Sequence, residues 1–230
     1  MKTIIITGAN GNLGTATVKK FLDEGIYRVI AVDHSGTHLG FADAHHDFEL
    51  HSIELTDEAA TNDFVTEAIS LYGQIDGALL LAGGYGAGNI EATTDADLQK
   101  MFNLNFITAY NMIRPLFNHM LQTGYGRIVL MDARPALKAS QGKSSLAYAL
   151  SKSLLFKLAE MLNEEAKGEN VVVSVVVPST IDTPVNRTAM PDANPAKWVK
   201  PEQLADIIEF ICSDKGFPVR EAVYKVYNDA

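Results

Sequence analysis

Short runs of β-branched and apolar residues alternate with longer amphipathic stretches along almost the whole chain. This alternation is typical of a parallel sheet whose two faces are covered by helices. The run VVVSVVV at residues 171–177 is almost purely β-branched, as expected for a strand that is buried on both faces. Because 230 residues fit one such unit, we predict a single doubly wound α/β domain over residues 1–230 with a seven-stranded parallel sheet.

The three longest irregular stretches each follow a predicted strand. In an open parallel sheet, the loops after the carboxyl ends of the strands line the ligand crevice, so we expect the functional site to lie there. The predicted strands are residues 3–6, 28–32, 49–53, 77–81, 127–131, 171–177 and 222–227. The predicted helices are residues 12–24, 57–71, 95–101, 105–122, 146–167 and 201–213. The irregular stretches are residues 82–93, 132–145 and 178–200.

Charge and composition exclude several classes of function. The net charge is −9 and the basic residues form no stripe, which argues against nucleic acid as a partner. The single cysteine, Cys212, permits no intramolecular disulfide and no multi-cysteine metal site. No apolar run approaches the ~18 residues of a membrane span, and the chain starts directly with a short strand. We therefore expect a cytoplasmic protein that acts on a small molecule without a membrane partner.

A glycine-rich turn, TGANGNLG at residues 7–14, joins the first predicted strand to the first predicted helix. Gly8 permits a tight turn, Gly11 allows close approach of a ligand to the backbone, and Gly14 lets the helix pack on the strand. A pyrophosphate then lies at the helix N-terminus, against free N–H groups and the positive end of the helix dipole. This order of elements predicts a Rossmann-type dinucleotide site. Its residues are Gly8, Asn10, Gly11, Asn12, Leu13 and Gly14.

The second predicted strand ends in Asp33, about twenty residues beyond the glycine turn, where a carboxylate binds the adenosine ribose hydroxyls. The same carboxylate repels a 2′-phosphate, and neither Arg nor Lys follows it directly. We therefore predict NAD(H) as the cofactor in preference to NADP(H). The alternative is a solvated aspartate at a strand end, and His34 leaves room for use of both cofactors.

Tyr148 and Lys152 stand four residues apart and therefore share one face of the predicted helix at 146–167. An ammonium near a phenol favours the phenolate and lowers its pKa from about 10, which makes the tyrosine a usable proton donor. An ordinary half-exposed helix face gives the same spacing. The Lys152 ammonium also suits hydrogen bonding to the hydroxyls of the nicotinamide ribose, so we expect it to contact the cofactor. Together with the glycine turn, the pair predicts a hydride-transfer enzyme.

These features, taken in order, resemble the short-chain dehydrogenases/reductases over essentially the whole chain. The resemblance implies that Asn105 supports a water relay to Lys152 and that the family's usual dimer or tetramer forms, so we expect a homodimer or homotetramer. It implies cofactor contacts by the residues after the third, fourth and sixth strands. Those residues are Glu54 and Leu55 at the adenine, Ala82, Gly83 and Gly84 after the fourth strand, and Pro178, Ile181 and Thr183 near the nicotinamide.

One departure from the family is informative. The predicted strand at 127–131 is followed by Asp132-Ala133, where the family's catalytic serine pair normally lies. Within the family, the dihydropteridine reductase branch lacks that serine, and the segments AGGYGAG at 82–88 and DTPVNR at 182–187 resemble its loops. The resemblance implies that Tyr85 stacks on a flat substrate. It places Ala133, Asn186 and Arg187 in the substrate site as well.

We therefore hypothesise an NADH-dependent reductase that uses Tyr148 as proton donor and acts on a planar, conjugated substrate such as quinonoid dihydropteridine. One alternative is a short-chain carbonyl reductase or alcohol dehydrogenase in which another group takes the role of the serine. Another is a catalytically silent NAD-binding sensor or scaffold. His45, His46 and His51 flank a predicted strand without matching carboxylates, so we interpret them as a solvated face and predict no metal site.

Overall fold

The structure, a computed structural model, describes residues 1–229. Seven strands pair in parallel in the order β3-β2-β1-β4-β5-β6-β7, which confirms the predicted doubly wound sheet. Strand β6 is buried along its entire length, as its β-branched sequence predicts. The strands are β1 Lys2–Thr7, β2 Tyr27–Val32, β3 Phe48–His51, β4 Gly77–Leu80, β5 Gly126–Met131, β6 Val171–Pro178 and β7 Val223–Val226.

Helices cover both faces of the sheet and create two apolar cores. One core lies beneath α2, α4 and α7, and the other lies beneath α1 and α9. Side chains alternate between the two faces of each strand and so contribute to both cores. Leu130 points to the first core and Val129 to the second. The helices are α1 Asn12–Asp23, α2 Glu58–Tyr72, α3 Asp95–Phe102, α4 Thr108–Thr123, α5 Arg134–Leu137, α6 Ala139–Gly142, α7 Leu146–Glu165, α8 Pro184–Ala189 and α9 Pro201–Cys212.

The direction in which strands are added reverses at β1, because β2 lies on one side of it and β4 on the other. The loops after β1 and β4 therefore separate above this point and open the crevice that binds ligands in such sheets. At their base the two loops are in contact, since the Ala82 N–H donates to Thr7 Oγ1 at 3.3 Å. The predicted cofactor and substrate loops thus meet at one edge of the sheet.

Several predicted boundaries were wrong. The third strand was predicted at 49–53, but β3 ends at His51 because its parallel pairing with β2 stops at Val32. The fourth strand ends one residue early, at Leu80, and the seventh is shorter at both ends than 222–227. The long helix predicted from Asn105 does not begin there. Instead the chain is helical from α3 to α4 through a π-helical turn, Asn103–Ile107.

Two stretches predicted as irregular contain short helices. Residues 132–145 include α5 and α6, and residues 178–200 begin with the last residue of β6 and include α8. Both α5 and α8 have proline in their first turn, where the missing N–H costs nothing. Among the described residues, no helix is both long and apolar enough to cross a membrane.

Candidate active site

The glycine turn forms the dinucleotide end of the crevice. Gly8 has a left-handed φ of +65°, and a Cβ there would lie 2.8 Å from the Ala82 nitrogen. Gly11 precedes α1 with no side chain capping the helix, so the first N–H groups of α1, from Asn12, Leu13 and Gly14, face the turn. A Cβ at Gly14 would lie 2.0 Å from Gly8 O. The predicted turn therefore has the open backbone cradle that a pyrophosphate requires.

Asp33 and Asn10 join the glycine turn to the loop after β2. Asp33 Oδ2 accepts a hydrogen bond from the Asn10 N–H at 3.0 Å, at the carboxyl end of β2. The Asn10 side chain donates to Ser35 Oγ at 2.9 Å and accepts from the His38 N–H at 2.7 Å. The structure thus places Asp33 beside the turn, as predicted. It also shows that Asn10 fastens the neighbouring loop, a role that its place in a glycine-rich turn does not reveal.

At the predicted adenine edge, Glu54 and Leu55 differ in what they offer a ligand. Glu54 is exposed, and hydrogen bonds from Thr56 hold the pKa of its carboxyl below the ordinary value. The Leu55 side chain is buried in the core beneath α2. Its carbonyl oxygen accepts from Asn111 Nδ2 at 2.9 Å. The side chain of Leu55 therefore stabilises the fold, and Asn111 is a buried polar residue of this region that the sequence did not single out.

The loop after β4 brings its backbone against the centre of the site. Asn105 Oδ1 accepts from the Gly84 N–H at 2.9 Å, and Asn105 Nδ2 donates to Ser151 Oγ at 3.2 Å. A Cβ at Gly83 would lie 2.7 Å from Asn105 Oδ1 and 3.2 Å from Lys152 Nζ. A side chain at this position would have to displace Asn105 or Lys152. The π-helical turn carries Asn105, which is buried there, towards α7.

Tyr148 and Lys152 lie on the same face of α7, as the spacing predicts. The Tyr85 ring packs edge-on against the Tyr148 ring, with 5.1 Å between centroids and an interplanar angle of 71°. Lys152 Nζ is buried and donates to the Met131 carbonyl oxygen at 2.6 Å. The structure therefore brings Asn105, Tyr148 and Lys152 together at the ends of β4 and β5.

The sequence predicted a lowered pKa for the Tyr148 phenol, and this prediction was wrong. Burial raises the pKa of the Tyr148 phenol, and Asp132 and Tyr85 add to the rise. The Lys152 ammonium is directed to a backbone carbonyl instead of the phenol oxygen. Tyr148 consequently holds its proton at neutral pH.

Asp132 is a buried charged residue of the site whose surroundings the sequence did not reveal. It is 2% exposed, and its Oδ1 accepts from the Ala133 N–H at 2.6 Å. Its Oδ2 is buried and has no hydrogen-bond partner in the described part of the chain. Ala133, at the place of the family's serine, is also buried and offers no hydroxyl. The signal was a charged residue directly after a buried strand, and only the fold shows which way it faces.

The loop after β6 is held mainly by hydrogen bonds between its own residues. Ile181 lies in a bridge with Val199, and Thr183 Oγ1 accepts from the Asn186 N–H at 3.2 Å at the start of α8. Asn186 Nδ2 donates to Ile181 O at 2.8 Å, and Arg187 forms two hydrogen bonds with Asp182 at 2.6 and 2.8 Å. Pro178 ends β6 beside this loop. Asn186 and Arg187, predicted to bind substrate, therefore hold the loop in shape.

The histidine-rich segment shows no metal-binding arrangement. His46 pairs with Asp47 at 2.7 Å, and the His51 ring packs against Phe64. Within residues 1–229, no group of three or more His, Cys, Asp or Glu side chains is arranged to hold a metal ion.

Comparison with known proteins agrees with this geometry. The family model for the short chain dehydrogenases matches residues 2–194. The 3-oxoacyl-[acyl-carrier-protein] reductase of Thermotoga maritima is 26% identical over 228 residues, covering 94% of this chain and 92% of that protein.

Two solved structures share the fold. ElxO with NADP bound has a TM-score of 0.88 at 18% identity, covering 98% of this chain and 96% of that one. 4-Hydroxyisoleucine dehydrogenase complexed with NADH has a TM-score of 0.88 at 21% identity, covering 99% and 98%. From the matched family model and the assembled Asn105, Tyr148 and Lys152, we conclude that the chain belongs to the short-chain dehydrogenases/reductases, a family of NAD(P)-binding oxidoreductases.

Proposed function

We propose that this protein is an NADH-dependent reductase of planar, conjugated substrates, with quinonoid dihydropteridine as the first candidate. The observation that carries the proposal is a complete Asn105, Tyr148 and Lys152 site around a position, Ala133, that offers no hydroxyl to polarise a carbonyl. A conjugated quinonoid ring is already strongly electrophilic. It needs a hydride and a proton but no additional hydrogen-bond donor.

Tyr148 supplies that proton. The phenol is protonated at neutral pH, so a proton is available. Because burial raises the phenol pKa, release of that proton requires a positive charge nearby, such as the Lys152 ammonium, to stabilise the phenolate. NADH, held at the glycine turn, would supply the hydride. The substrate receives a proton from Tyr148 Oη, and the phenolate regains one from solvent before the next turnover.

Tyr85 supports the preference for a flat substrate. Its side chain is 66% exposed, although its ring contacts Tyr148. An exposed aromatic ring beside the proton donor is a stacking surface for a conjugated ring system.

Asp33 supports the preference for NADH, and its replacement by Ser tests it. We expect the ratio of kcat/KM for NADH to that for NADPH to fall about 10- to 100-fold, because a charged hydrogen bond to the ribose and the repulsion of a 2′-phosphate are both lost. Steady-state rates with each cofactor measure the ratio. Asp63→Asn on the exposed surface of α2 is the matched control. An unchanged ratio in Asp33→Ser contradicts the preference.

The substrate class is tested by NADH consumption with quinonoid dihydropteridine and with simple ketones, in the wild type and in Ala133→Ser. We expect the wild type to turn over the dihydropteridine and the added hydroxyl to change this rate less than about threefold, while ketone reduction rises at least about tenfold. Wild-type turnover of ketones alone contradicts the proposal and favours a carbonyl reductase, as in the Thermotoga relative. Saturable NADH binding with no turnover favours a binding protein.

We also propose that the chain forms a homodimer through α4 and α7. Three rings stack along one face of the helical segment from α3 to α4, with centroid distances of 5.2 Å between Phe102 and Phe106 and 5.9 Å between Phe106 and Tyr110. On α7, Leu150 and Leu154 are exposed. Exposed apolar side chains grouped on two neighbouring helices favour a protein interface.

A further inference from the structure

Lys152 occupies a position where an ammonium group is costly. Its side chain is buried, and its one hydrogen-bond acceptor within residues 1–229 is the neutral carbonyl oxygen of Met131, at 2.6 Å. Burial lowers the pKa of Lys152 because the charged form loses its hydration. A buried ammonium group keeps its proton only where an anion compensates it. The role of Lys152 in the proposed reaction therefore depends on a second group.

Asp132 lies where such an anion is needed. Its N–H continues the ladder from β5 by donating to Val176 O at 2.9 Å. Side chains alternate along an extended strand, so Asp132 faces the same side as Leu130, towards the core beneath α4 and α7. One carboxylate oxygen is held by the Ala133 N–H, and the other, Oδ2, is buried without a partner. The carboxylate therefore lies on the side of the sheet that α7 covers, one residue after the Met131 carbonyl oxygen to which Lys152 Nζ donates.

The other groups around Lys152 are neutral. Tyr148 shares α7 with it, Tyr85 lies against Tyr148 from the loop after β4, and Asn105 approaches from the π-helical turn. Among the described residues, Asp132 is the one charged group whose field opposes the effect of burial on the Lys152 pKa. Lys152 in turn opposes the rise that burial causes in the Asp132 pKa. The two groups stabilise each other's charged forms.

We propose that Asp132 is a positioning residue that serves as the internal counter-ion of Lys152 and keeps it an ammonium during catalysis. The inference rests on the proposed function only in assigning Lys152 a part in the reaction. It goes further in naming the residue on which the charge of Lys152 depends. The segment after β5 carries the catalytic serine in other members of the family. In this chain it carries the Asp132 carboxylate, which acts through Lys152.

The direct test is an NMR titration of the Lys152 side chain in protein labelled at lysine Cε, with the signal assigned by its absence in Lys152→Met. In Asp132→Asn we expect the Lys152 midpoint to fall by at least about one pH unit, because the compensating charge is lost. Asp132→Glu, which keeps the charge, should restore most of the midpoint. Asp76→Asn, at the opposite end of the sheet, is the matched control, since Asp76 accepts from the Thr3 N–H far from Lys152.

The pH dependence of turnover gives the second readout. In Asp132→Asn, Lys152 should lose its proton at a lower pH than in the wild type. The alkaline limb of the kcat/KM profile should therefore shift to lower pH by the same amount as the Lys152 midpoint. The variant then loses roughly fivefold in activity at pH 8 and about tenfold at pH values well above both midpoints, and it recovers as the pH is lowered. A purely structural role for Asp132 predicts an equal loss at every pH.

An unchanged Lys152 midpoint in Asp132→Asn overturns the proposal. Circular dichroism and thermal melting establish that the variant is folded, and if it is not, Asp132→Ser serves as a smaller neutral replacement in the same titration. The titration needs no substrate. Failure of the reductase proposal is therefore distinguishable from failure of this one.

Discussion

Replacing Tyr148 by Phe is expected to lower kcat by roughly 10²- to 10⁴-fold, the range that a positioned proton donor contributes. The phenol has the geometry of the donor, because it shares a face of α7 with Lys152 and lies against the exposed ring of Tyr85. Phenylalanine keeps the ring contacts and removes only the hydroxyl. The dissociation constant for NADH should therefore stay within about threefold of the wild-type value.

Single-turnover kinetics and NADH fluorescence measure the two quantities separately. Tyr125→Phe is the matched control, because Tyr125 directly precedes β5 at the end of the sheet away from Tyr148, and its loss of a hydroxyl should leave kcat unchanged. If Tyr148→Phe retains most of its activity on a substrate that the wild type reduces, another group donates the proton. If NADH binding is lost together with turnover, Tyr148 holds the cofactor and not the reacting proton.

Replacing Gly14 by Ala is expected to weaken NADH binding at least about tenfold and to lower the free energy of unfolding by about 1–3 kcal/mol, as overpacking does. The new Cβ would lie 2.0 Å from Gly8 O and 2.7 Å from the Ala9 backbone. Neither neighbour is a flexible side chain, so α1 has to move away from the glycine turn. That movement displaces the helix N-terminus that we expect to bind the pyrophosphate.

Isothermal titration with NADH and urea unfolding measure the two effects. Gly40→Ala is the matched control, because a Cβ at Gly40 meets no atom within 4 Å. Unchanged affinity and stability in Gly14→Ala would mean that α1 and the turn are not in tight contact in solution. A loss of affinity without a loss of stability would place the effect on the cofactor alone.

Local features of the sequence were enough to predict the architecture and the two ends of the site. β-Branched runs indicate buried parallel strands because such side chains suit a pleat covered on both faces. The glycine turn is readable because the left-handed φ of Gly8 and the close packing of Gly14 exclude other residues. The position of Tyr148 and Lys152 on one face of a helix follows from helical periodicity. Each of these depends on neighbours within a few residues.

Tertiary structure decided how these residues behave. Burial raises the pKa of Tyr148 where the spacing predicted a lower one, and it leaves Lys152 dependent on Asp132, twenty residues earlier in the chain. The side chain of Leu55 is buried in the core, and the side chain of Arg187 donates a hydrogen bond to Asp182. The sequence by itself determined the fold class, the glycine cradle and the helix face that carries Tyr148 and Lys152, because backbone conformation and periodicity are local properties. The charge and accessibility of each site residue were decided by the tertiary structure, because desolvation and counter-ions come from segments that meet only when the chain folds.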